Sequence, residues 1–262
     1  MHADERERLI LEMMQGRGFI SFQELDARLD ASPATIRRDL QRLESGGRLI
    51  RVHGGARLIA DQDEGRAGAQ PHLQGVPFHE NVGRNPLQKA AIGKAGAGLC
   101  RPGEAVMIDG GSTTLQMCAH LAGLNLQVLT NSLHIVGTLL PQAGTRILVP
   151  SGTVFREQNI ILDAAGEDSM PRFHAPRLFM GAAAIGPHGV MQADAVLVAA
   201  ERKLIERADE IIVLVDSSKF QGPSGHVVCE LGEVDTVVTD RGVSERDREM
   251  LAEAGVNLVL AD

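Results

Sequence analysis

Residues 32–55 read SPATIRRDLQRLESGGRLIRVHGG, and the physical reading of this stretch decides what the N-terminal part of the chain is. Ser32 can accept a bond from a free N–H of a first helical turn, and Pro33 suits the first helical position, where a missing N–H costs nothing. Ile36, Leu40 and Leu43 recur at i, i+4 and i+7 and make one apolar face. At roughly 100° per residue, Ala34, Arg38, Gln41 and Arg42 point the other way, with Thr35 and Arg37 on the flanks. An outward face that is small at its start and then rich in Arg and Gln suits a helix that enters a DNA groove and donates to base edges and phosphates. After the glycines at 46–47, Leu49 to Leu58 with Gly54-Gly55 at its tip reads as a two-stranded wing carrying Arg51, His53 and Arg57, with Arg48 just before it.

Working back, Leu9, Ile10, Met13 and Met14 mark a first helix that stops near Gly16 and Gly18. Ser21 with Glu24 is a capping box for a second helix lined by Phe22, Leu25 and Leu29. The loop from Asp30 to Ser32 is short. The plainer alternative is a three-helix module whose arginines form a solvated face. The string ISFQELDARLDASPATIRRDLQRLESGGRLIRVHGGA resembles the winged helix-turn-helix of the DeoR family of bacterial transcription regulators, from Glu7 to Ala56. Two sites follow from residues and resemblance together. The DNA-binding residues are Ser32, Ala34, Thr35, Arg37, Arg38, Gln41, Arg42, Arg51 and His53. Among them Arg38, nearest the centre of the outward face, is expected to read a base edge, and Arg51 to hold phosphate. Asp39, beside the apolar stripe, is expected to serve an arginine as a structural partner.

Bulk properties bound the rest. A chain of 262 residues with 44% hydrophobic content suits one small domain plus a larger one with a sizeable core. No apolar run reaches 18 residues, and MHADERERLI lacks an apolar signal core. Cys100, Cys118 and Cys229 are 18 and 111 residues apart, fitting neither a zinc spacing nor a disulfide framework. They read as buried thiols in a reducing cytoplasm, and no cofactor or metal is expected. The net charge of −8 argues against nucleic acid until it is divided. Residues 1–57 carry 10 Arg against 9 acids, and the remainder is net −9. Within Ser32 to Arg57, 6 Arg face only Asp39 and Glu44. A small basic footprint on an acidic carrier suits site-specific binding with weak non-specific adhesion.

Residues 60–86 are polar, with Gly, Pro and Asn and no sustained period, and read as a linker between domains 1–59 and 87–262. From Lys89 onward, short Val/Ile/Leu runs alternate with helical segments. Strands are expected at 105–108, 128–130, 146–149, 178–180, 211–215, 236–239 and 257–260. Helices are expected at 89–99, 115–121, 132–140, 195–207 and 244–253. The pattern predicts a doubly wound, mostly parallel α/β sheet covered on both faces.

The first of these strands runs into Asp109-Gly110-Gly111-Ser112-Thr113-Thr114 and then a helix. Glycines with consecutive N–H groups and hydroxyls form an anion cradle, at the place where open α/β sheets bind ligands. The plain alternative is a Gly-Ser cap joining strand to helix. Thr130-Asn131-Ser132 and Ser151-Gly152 also follow strands, and Lys219 sits just past another strand end, so one rim gathers three polar turns and a cation. DGGSTT, TNS, MGAAAIGPHGV, Lys203 and LVDSSKF match the sensor domain of the DeoR family. The resemblance departs at Asn81, where the family usually has arginine, and at Ser151, usually glycine. It implies a domain related to ribose-5-phosphate isomerase and the coenzyme A transferases, used to sense phosphorylated sugars. The effector residues are therefore Asp109, Gly110, Gly111, Ser112, Thr113, Thr114, Thr130, Asn131, Ser132, Ser151, Gly152, Lys203 and Lys219.

Three function classes compete. A sugar-phosphate isomerase needs an acid/base at the sugar carbon, but Gly181-Ala-Ala-Ala184 puts methyls where isomerases carry carboxylates, although Asp194, Glu201 and Asp216 lie nearby. A ligand-free DNA-binding protein leaves the polar turns unexplained. The expected function is a cytoplasmic, homo-oligomeric repressor of a sugar or polyol catabolic operon. Its partners are operator DNA and a phosphorylated sugar or polyol that relieves repression.

Overall fold

The computed structural model describes residues 3–14, 19–29, 31–45, 49–52, 55–58, 75–162, 170–222 and 225–262. The chain divides into two compact units, Met1–Gln70 and Pro71–Asp262.

In the first unit, α1 (Ala3–Met14), β1 (Phe19–Ser21), α2 (Phe22–Arg28) and α3 (Pro33–Ser45) precede β2 (Leu49–Val52) and β3 (Gly55–Leu58). Ser32 caps α3 as its sequence requires, its Oγ accepting the Thr35 N–H at 3.3 Å. Ile36, Leu40 and Leu43 are buried against Ile10, Met14, Leu25 and Leu29. Burying each such side chain contributes about 1.5–3 kcal/mol, which fixes α3 by one face and leaves the other to solvent. The wing is an antiparallel pair in which Val52 faces Gly55. A third strand, not expected from the sequence, completes it: β1 pairs with β3 through Ile20 opposite Ala56, both buried.

The second unit opens with α4 (Phe78–Asn81) and α5 (Pro86–Ala97). Then follow β4 (Ala105–Ile108), α6 (Thr114–Met117), β5 (Gln127–Leu129), α7 (Leu133–Leu139) and β6 (Arg146–Leu148). A hairpin of β7 (Thr153–Phe155) and β8 (Ile160–Leu162) leads to β9 (Ala175–Met180), β10 (Ala184–Gly186) and β11 (Gly189–Gln192). The chain closes with α8 (Ala195–Ile205), β12 (Ala208–Leu214), β13 (His226–Cys229), β14 (Thr236–Asp240), α9 (Glu245–Glu253) and β15 (Asn257–Ala261).

Seven strands form one parallel sheet in the order β15-β14-β12-β9-β4-β5-β6. Both faces are covered, as the continuous apolar runs demand. Along β12, Ile211 and Val213 join one core with Leu204 and Leu251, while Ile212 and Leu214 join the other with Ile92, Met117 and Ile135. A smaller antiparallel sheet, β10-β11-β13, shares the first of these cores through Ile185, Val190, Val228 and Cys229.

The segment read as a linker, 60–86, is not one thing. Residues 60–74 lie outside the described residues. Residues 75–86 pack on the second unit: Phe78 is buried, its ring stacks on His134 at 4.3 Å, and the Gly75 N–H donates to Asp194. Phe78 is the one phenylalanine of the 60–86 stretch, and its buried ring is the anchor. Cys118 and Cys229 are buried and Cys100 half-buried, and burial pushes all three thiols up to about 12. Among the described residues, no helix is long and apolar enough to cross a membrane.

Candidate functional site

The outward face of α3 is where the first unit can meet a partner. Ala34, Arg37, Arg38, Gln41 and Arg42 are exposed and Thr35 half-buried. The three arginines are not equivalent. Arg42 lies 3.4 Å from Asp39 and 3.5 Å from Glu7. Arg37 sits over the Phe22 ring at 5.2 Å. Arg38 is exposed and makes no ion pair among the described residues. Asp39 is fully buried and accepts from Arg6 at 2.7 Å, with Arg42 beside it. Ser32 and Thr35 share a hydroxyl contact of 2.9 Å at the helix start, where helix N-termini meet phosphate. Arg51 lies in β2 opposite Ala56; His53 lies outside the described residues.

In the second unit, β4 lies between β5 and β9. The chain leaves β4 toward β5 and later returns on the other side as β9, so the sheet order reverses at this point. Loops diverge there and open a crevice beyond the carboxyl ends of the strands. A cavity of about 400 Å³ occupies it, within the range of small-molecule sites.

Asn131 holds the first loop in place. Its Nδ2 donates to Asp109 Oδ1 and its Oδ1 accepts from the Gly110 N–H, both at 2.9 Å. Gly110 must be glycine, because a Cβ there would meet Ile160 at 2.5 Å. Among the described residues, the N–H groups of Gly111, Ser112 and Thr113 have no backbone partner. Asp109, Gly110, Gly111, Ser112, Thr113, Asn131 and Lys219 all line the cavity.

The other expected effector residues are placed elsewhere. Thr114 is fully buried and its hydroxyl donates to the Asp109 and Gly111 carbonyls, fastening the loop from behind. Thr130 Oγ1 accepts the Ser132 N–H, and Ser132 caps α7 by accepting the Ile135 N–H. Ser151 and Gly152 are exposed. They and Lys203 do not contribute to the cavity wall. The structure adds Asn81, Arg84, Gln158, Gln192, Asp194 and Glu201 to that wall. Arg84 and Gln158 gave no pattern in the sequence, since each comes from a loop brought in by the Phe78 anchor or the β7–β8 hairpin.

The charges fall into two groups. Lys89 is buried, and its Nζ donates to the Asn81 carbonyl and to Asn81 Oδ1. Burial lowers it to about 8 against the pull of Asp216, and Lys219 and Arg84 push it the same way. So three cations gather round one acid. Asn81, where arginine is the usual residue of the resembling family, ties down Lys89, and Arg84 supplies a guanidinium to the same wall.

The second group is acidic. Glu201 is buried, Gln192 donates to its Oε1 at 2.6 Å, and no protein N–H or O–H donates to its Oε2. Burial raises Glu201 well above the usual carboxylate range, and the neighbouring Asp109 raises it further. Asp109 is raised by burial, with Asn131 opposing. A carboxyl raised on folding stabilises below its unfolded value and loses that contribution as pH rises through its folded value. Melting of the protein should therefore fall as pH climbs from the ordinary carboxylate range, below the titration of Lys89 at about 8. Glu201→Gln should flatten that fall and melt higher than wild type on the alkaline side. Parallel pH profiles for the two proteins would refute the coupling.

Residues 6–62 match the DeoR-like helix-turn-helix domain, and residues 84–241 match the DeoR C terminal sensor domain. The chain is 28% identical over 256 residues to the HTH-type transcriptional regulator UlaR of Shigella dysenteriae serotype 1 (strain Sd197), covering 97% of this chain and 98% of that one. Among solved structures, a probable sor operon regulator from Shigella flexneri is similar at 12% identity over 64% of this chain and 89% of the other, with a TM-score of 0.43. Ribose 5-phosphate isomerase A from Methanocaldococcus jannaschii is similar at 15% identity over 52% of this chain and 54% of the other, with a TM-score of 0.37. Likeness at those two scores decides nothing about function.

Proposed function

Because the chain belongs to the DeoR family of DNA-binding transcription regulators, we propose that it represses a sugar or polyol catabolic operon and lets go when a phosphorylated intermediate fills the cavity of its second unit. The observation that carries this reading is the wall formed by Arg84, Lys219 and the unpaired N–H groups of Gly111, Ser112 and Thr113. Cations and main-chain N–H groups converging on one cavity suit a phosphate. An isomerase reading lacks support, since Ala182, Ala183 and Ala184 put methyls where an isomerase carries carboxylates and the family is one of regulators.

The cavity wall includes Gly75, Val76, Phe78, Asn81 and Arg84, and the chain N-terminal to Gly75 leads to the reader. A ligand that grips this segment has a covalent route to the DNA-binding unit. It can change operator affinity only through its differential affinity for two arrangements of the protein.

On DNA, Arg38 reads a base edge, and Ser32, Ala34, Thr35, Arg37, Gln41 and Arg42 flank it. Arg51 in the wing reaches phosphate, and His53 belongs to the same set of DNA-binding residues. Arg51→Ala should weaken operator and random DNA alike and lower the salt slope of binding by about one. A loss confined to operator DNA would remove Arg51 from the phosphate role.

Useful affinity needs two readers, so the second unit holds a homodimer or higher assembly on half-sites about one helical turn or a multiple apart. Footprinting and operator titration test this. A fragment of residues 1–70 that bound operator as tightly as the full chain would contradict it.

A further inference from the structure

The cation wall accounts for one end of the cavity and leaves the acidic end without a purpose. The groups that act on Lys89 are Asp216, Lys219 and Arg84, whereas those that act on Glu201 are Asp109 and Gln192. The two groups have different neighbours, yet both Lys219 and Glu201 line the same space. Glu201 is 4% exposed and Asp109 3%, so neither is a solvated surface acid. Each already has one protein donor: Gln192 Nε2 on Glu201 Oε1 and Asn131 Nδ2 on Asp109 Oδ1. No protein N–H or O–H donates to the buried Glu201 Oε2, and the carboxyl beside it is that of Asp109, close enough for the two acids to share a proton. A buried oxygen without a donor of its own is costly, and an entering hydroxyl would supply one.

We propose that Asp109, Glu201 and Gln192 form a subsite for the carbon chain of the effector, and that it takes a chain ending in hydroxyl and rejects one ending in carboxylate. This deepens the phosphorylated-effector reading above and rests on it. A hydroxyl donates to Oε2 when Glu201 is ionised and accepts from it when Glu201 is protonated, so it fits either state. A carboxylate can only accept, so it could meet Oε2 only when Glu201 is protonated, and it would bring a further negative charge beside two buried carboxyl groups. Gln192, held by Glu201 through its amide, keeps that carboxyl turned so that Oε1 is occupied and Oε2 is left over.

The test uses the full chain and matched pairs that differ only at the end remote from phosphate. These are glycerol 3-phosphate against 3-phosphoglycerate, ribitol 5-phosphate against 5-phosphoribonate, and glucitol 6-phosphate against 6-phosphogluconate, with inorganic phosphate as reference. Calorimetry should give, in every pair that binds, at least about tenfold tighter binding of the alcohol, roughly 1.4 kcal/mol. Glu201→Gln should bring the two members within about threefold, and inorganic phosphate should bind both proteins alike. Gln192→Leu, at a half-buried position, serves if Glu201→Gln does not fold, and should narrow the same ratio. Equal binding of alcohol and acid by wild type would overturn the proposal. So would discrimination that survives in the variants. If alcohols and acids bind equally, only the subsite falls. If no phosphorylated compound binds at all, the sensor reading falls with it.

Discussion

Ser112→Ala combined with Lys219→Ala is expected to give a protein that holds its operator and no longer lets go at the concentration of phosphorylated effector that releases wild type. Ser112 is buried in the cavity wall and Lys219 half-buried in it. A charge-assisted bond to phosphate is worth about 1.5–3 kcal/mol and a neutral one about 0.5–1.5. Losing both should weaken effector binding by about 2–4.5 kcal/mol, from some thirtyfold to a thousandfold or more. The N–H groups of Gly111 and Thr113 remain, so residual binding at high concentration is part of the expectation. Neither residue lies in the unit that carries α3. Fluorescence anisotropy of labelled operator, titrated with effector, reads the result. Release at the wild-type concentration would move the phosphate site elsewhere.

The second large effect separates two adjacent residues. Arg38→Ala should weaken operator binding by about 1–3 kcal/mol, leave random-sequence binding almost unchanged, and relax preference at one base position. Asp39→Ala should abolish binding to both kinds of DNA, because it acts on the fold. Asp39 has no exposed surface and gathers Arg6 and Arg42 onto the back of α3. Its loss takes from Arg6 and Arg42 the buried carboxylate they share, beside the apolar core of a small unit. Thermal melts should show Arg38→Ala unchanged and Asp39→Ala lowered. Equal losses on operator and random DNA for Arg38→Ala would sink the base-reading role, and an undiminished melt for Asp39→Ala would sink the structural one.

What the sequence could disclose followed the range of the interactions. The α3 stripe of Ile36, Leu40 and Leu43 is a local pattern, and so is its cap at Ser32. Both appear where the spacing put them. The parallel strands announced themselves because burial on both faces demands unbroken apolar runs such as Ile211 to Val215. Short antiparallel strands such as β7, β8, β10 and β13 carry no such signal. Three or four residues hold at most two inward positions, too few to show a period, and β13 finds its partner β11 more than thirty residues away. The cavity shows the same divide. Asp109 to Thr113 and Lys219 were marked by loop chemistry, while Thr130, Ser132 and Thr114 share that chemistry but spend it on capping and fastening loops. Only the three-dimensional placement of each hydroxyl separates the two uses. Sequence places Glu201 only as an acid near the site, and its burial depends on β4, β11 and α8 meeting.

Coupling between the cavity and the reader is the centre of this account, and linkage makes it measurable from both ends. The operator affinity of the full chain should be determined with and without a saturating phosphorylated sugar or polyol, and the affinity for that compound with and without saturating operator. The account predicts that the compound weakens operator binding by about 5- to 150-fold and that operator weakens the compound by the same factor. A compound that binds the cavity but leaves operator affinity unchanged would contradict it.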